Sequence, residues 1–279
     1  MKKMISGKVR EVYEISDDNL IIVTTDRISA YDVILSKPVA DKGKVLNAVS
    51  LFWFDYTKDI VPNHIISSDV KDMPEHFQKS EFEGRTILVK KLKILPFEFI
   101  VRGYMFGSMW NSYSKTGEFC GQKLDGEYKM AQKLKTPLFT PSTKAHVGHD
   151  ENVSFEHVAK ELGDDLANKI KEISLKLYEV CYKYAYEKGI IIADTKFEFG
   201  IDETGKLVIA DEIFTPDSSR FWSLPDYKEG ISPKSYDKQF VRDWLANNKI
   251  GDEMQFDNIP DDILQKTSDI YRECLRRLI

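Results

Sequence analysis

The chain has 279 residues, 42% of them hydrophobic and 30% charged, which suits one large or two modest globular domains with filled cores. Its net charge of -5 carries no basic excess of the kind nucleic-acid binding needs, so nucleic acid is not an expected partner. No apolar run approaches the ~18 residues of a membrane span, and none of signal-peptide length follows Lys2 and Lys3, so a cytoplasmic protein without a membrane partner is expected.

In chain order, Lys8–Ile15 and Leu20–Thr25 are β-prone runs joined by a polar turn, a hairpin signal. Gly7-Lys8-Val9-Arg10 opens the first of them. A glycine followed by alternating cations can cover a triphosphate, although taken alone an edge strand with charged gatekeepers is the commoner outcome. Thr86–Leu92 and Phe97–Arg102 are two further strand candidates. A helix pattern spans Phe106–Lys115 and stops at Gly117. Ser108 falls in its first turn, where free N–H groups attract anions, and Arg102 adds a fixed charge nearby. Residues 133–153 read as a long polar connection without a period. His146, His149 and Asp150 lie within it; as a zinc set they lack a third clear ligand, and solvated loop histidines are commoner. Ser154 has the chemistry of an N-cap for a helix to Leu162, which Gly163 ends. Leu166, Ile170, Ile173, Leu177, Cys181 and Tyr184 then recur at helical spacing as a core-facing stripe. Cys120, Cys181 and Cys274 form no CxxC pair and read as reduced thiols. Two helices, near Ser235–Asn248 and Asp261–Leu278, close the chain. Strands gather early and mixed elements follow, so the expected fold is α+β. A strand-rich lobe over residues 1–92 should face a larger α+β lobe over 93–279 across a cleft.

The segment from Asp194 to Arg220 carries the strongest chemical signal. A strand opens at Gly189-Ile190-Ile191-Ile192, and side chains alternate along it. Asp194, Lys196 and Glu198 share one face; Thr195, Phe197 and Phe199 share the other. With a four-residue loop at 202–205, Glu198 pairs with Ile209 and Lys196 with Asp211, so the carboxylates of 194, 198 and 211 converge. A one-residue slip would move Asp211 to the apolar face. Three carboxylates and a lysine are costly together unless a cation sits among them, and Mg²⁺ takes one or two carboxylates plus phosphate oxygens. Glu198 and Asp211 are the candidate ligands, Lys196 a candidate phosphate contact, and Asp194 a candidate orienting group. A surface salt-bridge ladder is the plainer alternative. Thr215-Pro216-Asp217-Ser218-Ser219-Arg220 follows as a turn with hydroxyls, N–H groups and an arginine suited to an anion. No GxxxxGK[ST] or GxGxxG occurs, which removes P-loop and Rossmann readings.

The motifs GKVREVY (7–13), TDRISAYDV (25–33), KG (42–43), FIVRGYMFGS (99–108), LFTPSTKAHVGHDEN (138–152), GIIIADTKFEFG (189–200), DEIFTPDSSRFW (211–222) and SYDKQFVRDWL (235–245) together resemble the phosphoribosylaminoimidazole-succinocarboxamide (SAICAR) synthase family, over nearly the whole chain. The resemblance implies a kinase small-lobe-like antiparallel sheet, a larger α+β part of ATP-grasp-like character, and ATP between them. It implies the coupling of CAIR to L-aspartate with hydrolysis of ATP, through an acyl phosphate, in purine biosynthesis. Lys8 and Arg10 would then meet the ATP phosphates, and Lys90, Lys91 and Leu92 the adenine. Glu198 and Asp211 would hold Mg²⁺, with Asp194 and Lys196 at the reacting phosphate. Arg102, Ser108, Asp217, Ser218 and Arg220 would hold CAIR. Asp32, Lys144 and His146 are further substrate-site expectations. The long TPSTKAHVGHDEN loop belongs to the longer members of the family, so loop roles from compact members do not transfer. The rival enzyme is a kinase-like phosphotransferase, but its H-R-D-x-x-x-x-N loop is absent. A nucleotide sensor without chemistry would not need the carboxylate cluster. The oligomeric state is not legible in the sequence.

Overall fold

The structure, a computed structural model, describes residues 2–31, 33–144, 151–250, 253–254 and 256–279. Strands β1 (Lys2–Ser6), β2 (Arg10–Glu14) and β3 (Asn19–Thr24) run antiparallel, then a small ribbon forms from β4 (Ser29–Ala30) and β5 (Val33–Ile34). Helix α1 (Lys42–Tyr56) follows, then β6 (Ile65–Ser67), β7 (Thr86–Lys90), β8 (Lys93–Ile94) and β9 (Phe97–Tyr104). After α2 (Gly107–Thr116) come β10 (Glu118–Phe119), β11 (Gln122–Lys123), β12 (Lys133–Phe139) and β13 (Ser142–Thr143). Helices α3 (Phe155–Leu162) and α4 (Asp164–Glu187) lead to β14 (Ile190–Ile201), β15 (Leu207–Ala210) and β16 (Ser219–Ser223). Helix α5 (Gln239–Asn247), the β17 (Lys249–Ile250) and β18 (Glu253–Met254) ribbon, and α6 (Asp261–Leu278) complete the chain.

Two sheets matter for the site. The first is five-stranded, in the order β1-β2-β3-β7-β6. The second is seven-stranded, built on β12-β9-β14-β15, with β13 on β9 and both β16 and β8 on β14. The 12-residue strand β14 is its axis: its first half pairs with β9 and β16, its second half with β15 and β8. The α+β expectation holds, and so do the early hairpin and the closing helices. Ser154 caps α3 by accepting the His157 N–H at 3.3 Å. The α4 stripe packs on the main core, where Ile170, Leu177 and Cys181 are fully buried.

Two expectations change, and one helix lies where none was expected. Residues 133–153 are not all connection, because Lys133–Phe139 and Ser142–Thr143 are strands laid against β9. Residues 219–223 are a strand rather than the tail of a turn. Helix α1 carries no legible stripe, since its buried set mixes Lys42, Asn47 and Ser50 with Val45, Val49 and Trp53. Packing on several sides explains that mixture. Trp53 and Phe54 enter the main core with Ile190, Phe197 and Phe199, while Lys42 enters the cleft wall. Ile28, Ala30, Leu35 and Val39 form a separate apolar cluster with Val241, Leu245 and the start of α6. Among the described residues, no helix is long and apolar enough to cross a membrane.

Close backbone packing fixes how β9 meets α4. A Cβ on Gly103 would lie 2.0 Å from the Tyr178 hydroxyl, which itself donates to the Ile192 carbonyl at 2.6 Å. Gly103→Ala is therefore expected to cost about 1–3 kcal/mol by overpacking, and Tyr178→Phe about 1 kcal/mol from its lost hydrogen bond. The phenylalanine removes the clashing oxygen, so the double variant should cost clearly less than the sum. Thermal melts read the cycle at roughly 2–4 °C per kcal/mol; strict additivity would contradict this packing.

Candidate active site

The register of the acidic hairpin differs from the expected one. Ile201 pairs with Leu207 and Glu198 with Ala210, one residue beyond the assumed pairing. The loop is one residue longer because the Asp202 carboxylate accepts the N–H groups of Thr204 and Lys206, folding residues 202–206 around itself. That slip alone would turn Asp211 to the apolar side. The strand instead ends at Ala210, and Asp211 takes a left-handed backbone, φ 62°. The change of hand swings its carboxylate back toward Glu198, so the convergence survives by a kink in place of alternation. Aspartate tolerates this conformation better than most residues.

Three connected hollows make up the cleft. An apolar one of about 380 Å³ lies between the first sheet and the hairpin, with Val12, Leu20, Ile22, Val89 and Leu92 in its walls. Lys8, Arg10, Glu198 and Asp211 line both it and a polar middle hollow of about 320 Å³. Lys196, Asp217, Ser218, Lys238 and Arg242 line both the middle hollow and an inner one of about 230 Å³. Arg102, Ser108, Asp194 and Arg220 form the inner walls.

At the first junction, Arg10 bonds Asp211 at 3.0 Å and also pairs with Glu212. Lys144 meets Glu198 at 2.5 Å. Burial pushes the Glu198 carboxyl up to about 7, with Asp211 adding repulsion and Lys144 opposing both. Two carboxylates that resist shared ionisation favour a cation between them. No group of three metal-ligating side chains exists among the described residues, which fits an ion that draws further oxygens from phosphate and water. Lys196 is held by both oxygens of Glu98, at 2.9 and 2.8 Å.

The inner hollow is organised by a cross-strand ladder. Asp194 on β14 faces Arg102 on β9 and Arg220 on β16. Its Oδ2 lies 2.5 Å from Arg220 Nη1 and 3.5 Å from Arg102 Nη1. Arg102 also donates to Thr140 at 2.9 Å and Ser108 at 3.2 Å. One carboxylate between a buried guanidinium, that of Arg102, and a half-buried one, that of Arg220, leaves surplus positive charge. Burial lowers the Arg102 pKa, and Arg220 lowers it further against the pull of Asp194. An anion entering here relieves that tension. Gly107 permits the arrangement, because a Cβ there would stand 2.6 Å from Arg220 Nη2.

Beneath the turn, Asp217 binds Lys42 at 2.7 Å and the Tyr271 hydroxyl at 2.6 Å. Burial alone would raise its pKa; Lys42 and Lys238 outweigh that and hold it below the usual carboxylate range. Ser218 Oγ accepts the Thr215 N–H at 3.1 Å, so Asp217 and Ser218 shape the wall as well as line it. Lys90 and Leu92 line the apolar hollow, while the Lys91 ammonium is tied to Glu14 outside that lining. Asp32 and His146 lie outside the described residues, as do His149 and Asp150.

Sequence reasoning assigned no role to Lys42, Glu98, Lys238 or Arg242, all of which touch the cleft or hold a residue that does. The signal for the last two was their four-residue spacing at the start of a helix, which places both on one face. Burial lowers the Lys238 pKa to about 8, with Asp217 opposing.

A cleft that joins an apolar slot to a carboxylate pair and a doubly basic pocket defines a nucleotide-dependent enzyme acting on a second, anionic substrate. The comparisons give it a family. The family model described as SAICAR synthetase matches residues 3–258. A phosphoribosylaminoimidazole-succinocarboxamide synthase of Maridesulfovibrio salexigens is 53% identical over 281 residues, covering 100% of this chain and 94% of the relative. The solved SAICAR synthase of Saccharomyces cerevisiae in complex with SAICAR aligns with TM-score 0.91 and 44% identity, covering 99% of this chain and 94% of that one. A SAICAR synthetase solved in complex with ADP aligns with TM-score 0.72 and 25% identity, covering 98% and 96%. The chain belongs to the SAICAR synthetase family, ligases of purine biosynthesis.

Two stability predictions follow from the buried charges. Lys42→Met strands the Asp217 carboxylate and is expected to cost about 3–5 kcal/mol in urea unfolding; adding Asp217→Asn should recover part of it. His64 is buried against Phe54, and burial pushes its pKa from 6.5 down to about 4, with Asp211 opposing. Between those values the unfolded chain binds a proton that the folded chain refuses, so stability falls as pH drops through this window. The contribution should reach about 2 kcal/mol at pH 5 relative to pH 7. His64→Gln should remove that part of the pH dependence, as read by urea midpoints.

Proposed function

We propose that the cleft joins the carboxylate of CAIR to the amine of L-aspartate at the expense of ATP, yielding SAICAR, ADP and phosphate. The observation that carries this reading is the position of Glu198 and Asp211 at the mouth shared by the apolar hollow and the path to the Arg102–Asp194–Arg220 ladder. The relatives named as SAICAR synthases, one bound to SAICAR and another to ADP, support both ends of it.

In this arrangement the adenine occupies the apolar hollow, with Leu92 and Lys90 in its lining and Lys91 at its edge. Lys8 and Arg10 meet the phosphates. Glu198 and Asp211 would hold Mg²⁺, which would supply neutralisation of phosphoryl charge. Arg102, Ser108 and Arg220 hold the phosphate and ribose of CAIR, and Asp217 and Ser218 complete the wall. Asp194 keeps the two arginines together, and Lys196 stands at the reacting carboxylate and γ-phosphorus. A CAIR carboxylate oxygen attacks the γ-phosphorus and ADP leaves with the bridging oxygen. The aspartate amine then attacks the acyl carbon of the mixed anhydride, phosphate departs, and the nitrogen loses a proton. Activation matters because a bare carboxylate would have to expel hydroxide. Lys144 is placed near the aspartate, with Asp32 and His146 as further proposed contacts. The division into an ATP-covering lobe up to residue 92 and a substrate lobe beyond it, with a cytoplasmic location, completes the proposal.

The direct assay supplies ATP, Mg²⁺, CAIR and L-aspartate. SAICAR and ADP should appear in equal amounts. ADP forming at the full rate without aspartate or CAIR would overturn the ligase reading. Asp211→Asn keeps a residue that accepts the left-handed backbone but removes one charge. It should lower turnover by roughly a hundredfold or more, the scale of losing one preorganised electrostatic contact, with circular dichroism unchanged.

A further inference from the structure

The segment Thr25-Asp26-Arg27 has no part in the chemistry above, yet it ties together separate pieces of the cleft. Asp26 accepts the Gly43 N–H at 2.8 Å and Arg85 at 3.1 Å, which fixes the first turn of α1 and so the base of Lys42. Thr25 donates to the Val9 carbonyl twice, from its N–H at 2.9 Å and its hydroxyl at 2.8 Å. Arg27 reaches back over the same turn. Its Nη2 donates to the Gly7 carbonyl at 2.8 Å and the Arg10 carbonyl at 3.5 Å, and its Nε to the Lys8 carbonyl at 3.2 Å. Its Nη1 meets Glu11 at 2.5 Å. Gly7 N–H closes the turn on the Arg10 carbonyl at 2.8 Å.

The carbonyls of Gly7, Lys8, Val9 and Arg10 are thus engaged by Thr25 and Arg27. That has two physical effects. Carbonyl dipoles that would repel a polyphosphate are turned onto a guanidinium and a hydroxyl. The side chains of Lys8 and Arg10 are left lining the hollows, which Arg27 itself does not line. A planar, multi-donor guanidinium suits this task where an ammonium does not. Fold stability is a weak explanation for it, because the Arg27 side chain is 30% exposed and such pairs contribute little.

We infer that Arg27 is a positioning residue for nucleotide binding: it clasps the Gly7–Arg10 turn in the shape that presents Lys8 and Arg10 to the phosphates. This rests on the placement of ATP phosphates at Lys8 and Arg10 proposed above. The test uses the full-length enzyme with Arg27→Met, Arg27→Lys and the control Lys8→Ala. Steady-state kinetics with each substrate varied are paired with amide hydrogen exchange on the ligand-free proteins. Arg27→Met should raise KM for ATP about tenfold, the scale of one charge-assisted hydrogen bond, with little change in KM for CAIR or aspartate and an unchanged Tm. Exchange in peptides spanning Ser6–Glu11 should quicken. Arg27→Lys should restore part of the ATP affinity by reaching one carbonyl. If Lys8→Ala weakens ATP binding while Arg27→Met does not, the clasp is wrong. Equal increases in every KM with a lowered Tm would also overturn it in favour of a general structural role. If Lys8→Ala leaves the ATP KM unchanged, the placement of the phosphates is what fails, and exchange alone then decides the clasp: unchanged exchange in Arg27→Met refutes it.

Discussion

The alternation of side chains along one strand governs this molecule. Strand β14 is hydrogen-bonded to four others, so its two faces cannot be exchanged without losing most of the second sheet. Thr195, Phe197 and Phe199 are fully buried on one face. Asp194, Lys196 and Glu198 are then obliged to face the cleft, about 7 Å apart from one to the next. That spacing sets the inner ladder, the lysine at the centre and the carboxylate mouth in a fixed line. Arg102 and Arg220, Glu98, and Lys144 come from other segments to partner these three positions.

Those partners come in charge-compensated sets. Asp194 lies between Arg102 and Arg220, Lys196 lies on Glu98, and Glu198 lies on Lys144. Isolated charges at such depth would shift toward neutrality. Pairing holds these side chains in place and leaves a modest imbalance at each end. The surplus is positive at the ladder and negative at Glu198 and Asp211. A cleft already polarised in this way stabilises charge that moves along it without having to reorganise.

Much of this was legible from residue order, because period-2 patterning is a strong signal on a long buried strand. It gave the face shared by residues 194, 196 and 198 and the hairpin that follows. It did not give the route of Asp211, because a side chain in a loop, Asp202, gathered one extra residue into the turn, and a backbone kink restored what the slip removed. Helix α1 was hidden for a different reason: buried polar residues such as Lys42 and Asn47 have partners across the fold that composition does not reveal. The roles of Lys42 and Glu98 depend on contacts 175 and 98 residues away, and no local pattern encodes those. Recognising the ordered motifs placed these segments together without explaining what holds them.

The pairing of Arg10 with Asp211 spans 201 residues of chain. A ribosome adding roughly 5–20 residues per second needs on the order of 10–40 seconds between them. For the later part of that interval, once β7 has been made, the amino-terminal sheet has no hairpin to cover the polar side of its cleft. Contacts of such long range make for slow assembly. The exposed apolar wall of Val12, Leu20, Ile22 and Val89 is then a surface that must avoid neighbouring nascent chains until the far hairpin arrives. The geometry that lets two distant segments share one nucleotide thus also sets the period in which the newborn protein is most open to misassociation.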